Sequence, residues 1–90
     1  MNYYTWDLGQ QSAGTVVEVT LAGNSANVKL MDSANLASYK SGRNHRYTGG
    51  HVTRSPFRVS VPGSEHWHIV IDYGGYAGSG RASVRVLSSH

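Results

Sequence analysis

Apolar and polar residues alternate with a period of two through most of this chain, the pattern of strands that rest one face on a core. In Thr15 to Leu21, Val17, Val19 and Leu21 share one face and Val16, Glu18 and Thr20 the other. Gly23-Asn24 reads as a turn, and Ala26, Val28 and Leu30 resume the pattern, so these two strands are expected to pair as an antiparallel hairpin. Tyr4, Trp6 and Leu8 share a strand face, and Phe57, Val59 and Val61 alternate with Arg58 and Ser60. Trp67, Ile69, Ile71 and Tyr73 oppose His66, His68, Val70 and Asp72, and Ala82, Val84 and Val86 oppose Ser83 and Arg85.

One segment departs from this period. Asp32 or Ser33 can cap Ala34 to Lys40, and Gly42 can stop it, which predicts a short connecting helix around residues 33–41. Gly and Pro mark the remaining breaks at Gly49-Gly50, Ser55-Pro56, Pro62-Gly63-Ser64 and the stretch Gly74 to Gly80. Many short strands with turns between them predict an all-β fold, a small jelly-roll-like β-sandwich, rather than βαβ units. With 90 residues the expectation is a single domain over residues 1–90. A chain of this size buries roughly 60 to 65% of its unfolded surface, so any ligand site should be shallow.

Composition narrows the chemistry. The chain has no Cys, which removes disulfide scaffolds, thiolate zinc sites and thiol catalysis. No apolar run approaches the roughly 20 residues of a membrane-spanning helix, and the first residues lack the basic and apolar stretches of a signal peptide. A cytoplasmic protein without membrane association is therefore expected. The net charge is only +3, but Ser33 to Ser64 holds no acid and carries Lys40, Arg43, Arg46, Arg54 and Arg58. That middle is +5 and the rest of the chain −2.

The basic stretch supplies the candidate ligand-binding residues: Arg43, His45, Arg46, Tyr47, His51, Arg54 and Arg58. A guanidinium offers two parallel donors to phosphate or carboxylate, and Tyr47 can stack on a base or a sugar. On one extended segment Arg43, His45 and Tyr47 would share a side and Arg46 would point the other way. The competing reading is that positive charge merely protects loops and strand edges from pairing.

His66-Trp67-His68 places two imidazoles on one strand face with Asp72 in phase, a conceivable two-His-one-carboxylate arrangement similar in spacing to the His-x-His pair of cupins. No second motif completes that pattern, His90 is terminal, and the opposite face is plainly core, so no metal ligands and no cofactor are assigned. Gly74 to Gly80 lacks the following helix that a phosphate loop requires and reads as a hairpin loop presenting Tyr76. No nucleophile elbow and no evident carboxylate pair point to catalysis.

Ala26 to Ser33, Arg46-Tyr47-Thr48-Gly49-Gly50-His51 with Ser55-Pro56, Val61-Pro62 and His66 to Gly75 resemble a bacterial family of small domains of unknown function. The resemblance covers nearly the whole chain. It implies a domain found alone or fused to TIR domains, with a sensing or adaptor role, and draws attention to Arg46, Tyr47, Gly49, Gly50 and His51. Gly49-Gly50 can equally serve a tight turn with positive φ. The expectation is a non-enzymatic module that binds an anionic or polar ligand, nucleic acid and acidic protein surfaces included. Alternatives are a protein-interaction or homo-oligomerising domain that uses a sheet edge or the Tyr76 loop, and a cupin-like metal protein.

Overall fold

The computed structural model describes residues 3–23, 25–73 and 81–87. Its elements are β1 (Tyr3–Gln11), β2 (Val16–Ala22), β3 (Ala26–Asp32), α1 (Ser33–Lys40), β4 (Thr48–Val52), β5 (Phe57–Ser60), β6 (Glu65–Asp72) and β7 (Arg81–Leu87). They form a four-stranded sheet in the order β1-β6-β3-β4 and a three-stranded sheet in the order β5-β2-β7. Every pairing is antiparallel. The result is the small β-sandwich that the alternation predicts. Its strand order is that of an eight-stranded jelly roll lacking the fourth and fifth strands, with α1 at their place in the chain and β7 added on the free side of β2.

The inward residues of both sheets meet in one core. Val17, Val19, Ala26, Val28, Leu30, Trp67, Ile69 and Ile71 belong to it, and Trp6, Leu8, Phe57 and Val84 pack at its margins. Trp67 buries its ring and donates its Nε1–H to the Gly63 carbonyl at 2.9 Å, so the indole brings no unpaired donor into the core.

Two expectations require correction. β2 and β3 do not form a hairpin; they lie in different sheets, and their apolar faces meet across the core instead of side by side. Facing strands bury Val17 and Val19 against Val28 and Leu30, whereas a lone hairpin would leave that face in water. Gly49-Gly50 is not a turn but lies inside β4, where Gly49 sits opposite Lys29. Gly49 has a φ of +126°, and a Cβ there would overlap the Val28 carbonyl oxygen. The missing side chain therefore admits β4 to the sheet. Gly74 to Gly80, with Tyr76, and His90 lie outside the described residues.

Candidate functional site

The outer face of the four-stranded sheet carries most of the polar chemistry, and antiparallel register sets it out in rows. Tyr3, Asp72, Asn27 and His51 align across β1, β6, β3 and β4. Thr5, Val70, Lys29 and Gly49 form the next row, and Asp7, His68 and Met31 the one after. Helix α1 lies on this face, with Leu36 and Tyr39 packed on Met31 and Val70.

Local sequence fixes both ends of the helix. The Asp32 carboxylate accepts the Asn35 N–H at 2.8 Å, the N-cap that the sequence predicts. At the other end Gly42 adopts a φ of +74°, its N–H donates to the Tyr39 carbonyl, and the Arg43 N–H donates to the Ser38 carbonyl at 2.8 Å. These are the paired bonds of a Schellman motif, which turns the chain back over the sheet. The segment after Gly42 thereby returns toward Lys29 and Tyr39.

What results is a cleft of about 420 Å³ lined by Tyr3, Lys29, Tyr39, Lys40, Arg43, His45 and Asp72. Its walls are rings. Tyr39 meets Tyr3 edge to face at 5.2 Å between centroids and His45 in the same manner at 5.0 Å, while His45 and Tyr47 lie 5.6 Å apart at a 31° tilt. Lys29 Nζ stands 5.0 Å from the Tyr39 ring centre and 4.7 Å from that of Tyr47, which fixes a cation between two π faces. Tyr39 donates its hydroxyl to Asp72 Oδ2 at 3.3 Å. Burial first, and the Asp72 carboxylate second, push this phenol up to about 12, so it stays a donor throughout the physiological range.

His45 gives the cleft an unusual polar atom. Its Nδ1 lies 3.2 Å from the Arg43 carbonyl, which can only accept, so Nδ1 carries the proton and Nε2 of the neutral ring is an acceptor. That Nε2 is buried and has no hydrogen-bond partner among the described residues. A buried acceptor without a donor costs on the order of 1–3 kcal/mol.

The candidate residues taken from the sequence separate. Arg43 and His45 line the cleft, whereas Tyr47, 47% exposed, lies beside His45 but lines a second, smaller cavity together with Arg46, so the expected separation of Arg46 from the other three does not hold for Tyr47. His51 is on the same sheet face but out on edge strand β4, with Nδ1 3.4 Å from Asn27 Oδ1. In that second cavity Arg46 is joined by Asp32, Asn35 and Trp67, and its backbone N–H donates to Asn35 Oδ1 at 2.7 Å. Arg54 is exposed in the connection between β4 and β5, which crosses to the other sheet. Arg58 stands on the outer face of the three-stranded sheet, 2.9 Å from Glu18 Oε2, while Arg85 reaches Oε1 of the same carboxylate at 2.8 Å.

Tyr3, Lys29, Tyr39 and Asp72 complete the cleft; the first three escaped the sequence reading, which placed Asp72 only beside the two imidazoles. Lys29 and Asp72 occupy outward positions of their strands, a weak signal that gained meaning only when β3 and β6 paired. The imidazole pair needs a further correction: the carboxylate beside His66 and His68 is Asp7 of β1, not Asp72. Four residues of strand put Asp72 roughly 13 Å along from His68, whereas pairing of β1 with β6 sets Asp7 directly opposite.

Among the described residues no helix is long and apolar enough to cross a membrane. No curated protein and no solved structure matches the chain. Its sequence does match one family along its full length, residues 1–90, and the protein is therefore a member of the family described as Domain of unknown function (DUF1883).

Proposed function

We propose that this protein is a non-enzymatic binding or sensing module that holds an anionic ligand bearing a planar ring in the cleft beneath Arg43. The supporting observation is the convergence of Lys29, Lys40, Arg43 and His45 with three tyrosine rings around one concavity of about 420 Å³. That volume suits a small molecule. Lys40 and Arg43 supply donors for an anionic group, Tyr47 and His45 a stacking surface, and Asp72 with Tyr39 a polar floor. The resemblance noted above supports a bacterial, cytoplasmic setting, in which the module stands alone or beside a TIR domain that responds to the bound ligand.

Calorimetric titration with a nucleoside monophosphate, and separately with a single-stranded oligonucleotide, tests this reading. Arg43→Ala is expected to weaken the monophosphate roughly tenfold, the effect of losing one charge-assisted hydrogen bond. A polymer that reached Arg46 and Arg54 besides Lys40 and Arg43 would show a log-log salt slope of about −2.8 for four phosphates. Affinity that is indifferent to Arg43→Ala, or no saturable binding of either probe, refutes the assignment.

A second reading, association through a strand edge, draws on Val86, which is 39% exposed on edge strand β7. It predicts a concentration-dependent increase in solution mass that persists at high salt, and a concentration-independent monomer removes it.

A further inference from the structure

We propose that Asp7, His66 and His68 form a site for a divalent transition-metal ion, at the opposite end of α1 from the cleft. The three residues offer one oxygen and two nitrogens whose ligand atoms all lie within 4.8 Å of one another. Two atoms bound at about 2.1 Å to one tetrahedral ion are about 3.4 Å apart, so capture needs a closure of up to about 1.4 Å. His66 is exposed at the rim and can supply that movement by side-chain rotation.

The fold holds these ligands in place. The register of β1 against β6 shifts between Asp7 and Gly9, and Gly9 takes a φ of +73° at this bulge. Bulges re-aim side chains. Here the Gly9 N–H donates to Asp7 Oδ1 at 2.8 Å, and the same oxygen lies 2.5 Å from His66 Nε2. The two imidazoles lie 5.0 Å apart at a 31° tilt, side by side on one strand face. His68 Nε2 is 2.9 Å from Ser33 Oγ at the first turn of α1, which leaves Nδ1 of that ring for an ion. An outer partner of this kind fixes the tautomer and orientation of a ligating imidazole.

The donor set selects the ion. Two imidazoles and one carboxylate, with no thiolate, suit Zn²⁺ and its first-row neighbours and discriminate against Ca²⁺ and Mg²⁺, which demand oxygen. The ligands are exposed or half-buried, so the remaining coordination positions would be filled by water or by a ligand from solution.

Titration of the full chain, without a purification tag, with Zn²⁺ by calorimetry and with Co²⁺ by visible absorption tests the site. One ion per chain is expected, with Asp7→Asn and His68→Gln each weakening it by at least about tenfold and His51→Gln leaving it unchanged. Ser33→Ala, which removes no ligand, is expected to weaken the ion by roughly tenfold without altering the melting temperature of the metal-free protein. Mg²⁺ in the same titration should not compete. Absence of saturable Zn²⁺ binding, or binding indifferent to both Asp7→Asn and His68→Gln, would overturn the proposal and leave Asp7 and His66 as a surface ion pair only.

Discussion

On the outer face of the three-stranded sheet, Arg58 and Arg85 each donate to one oxygen of Glu18; on the outer face of the four-stranded sheet, Lys29, Lys40 and Arg43 gather around a cleft of aromatic rings. The first face closes its charge on itself. Glu18 has little exposed surface, and the guanidiniums of Arg58 and then Arg85 hold its carboxyl below the ordinary range. The second face keeps Lys29 against the rings of Tyr39 and Tyr47 and holds a buried imidazole nitrogen unpaired among the described residues. Residues of one charge type are thus structural where a carboxylate sits opposite them in register, as at Arg58 and Arg85, and available where, as at Lys29, the register partners are Val70 and Gly49 and the nearest rings come from α1 and the segment after it. Helix α1 causes the difference, because it roofs only one of the two faces.

The heaviest blow to this contrast is to loosen the roof. Leu36→Ala removes the buried side chain that seats α1 on Met31 and Val70, and is expected to cost about 2–5 kcal/mol, visible in chemical denaturation. Monophosphate binding should fall with it, while the Glu18 cluster on the far sheet should stay intact. Gly49→Ala comes next. Its left-handed backbone alone predicts a loss of about 1–3 kcal/mol, and overlap with the Val28 carbonyl adds to it, so detachment of β4 should appear as early amide exchange in Thr48 to Val52.

A smaller, pH-dependent effect reports on the closed face. The folded pKa of Glu18 lies below the ordinary 4.5, so its stabilisation is fully present above that pH and is lost as pH falls through the lowered value. Glu18→Gln should lower the melting temperature by a few degrees at pH 7 and flatten the decline below pH 4.5. The smallest effect sharpens the comparison most. Arg43→Ala should change stability by no more than about 0.5 kcal/mol while weakening the ligand, whereas Arg58→Ala should leave ligand affinity untouched and lower the melting temperature. The reverse pattern would exchange the roles of the two faces.

Much of this architecture is legible in the residue order because its causes are local. The alternation in β2, β3 and β6 marks the core faces, Asp32 announces the helix, and Gly42 its end. The side shared by Arg43 and His45 is what an extended segment predicts, but residues 43–47 are not a strand and Tyr47 lines a cavity with Arg46 instead. The expected β2–β3 hairpin failed because the alternation states which face is buried but not whether the covering strand lies beside or opposite. Gly49-Gly50 misled for a related reason: a glycine with positive φ signals a turn only when no neighbouring strand needs its empty side.

By itself the sequence determined that the chain alternates into strands with one capped helix, that its charge is concentrated between Ser33 and Ser64, and that the chain is a member of its family. Only the tertiary structure decided which charges matter. Pairing of β1 with β6, some 60 residues apart in the chain, put Asp7 beside His66 and His68, and pairing of β3 with β6 brought Lys29 and Asp72 under Tyr39. Strand register is a collective choice made by core packing, and no local signal carries it.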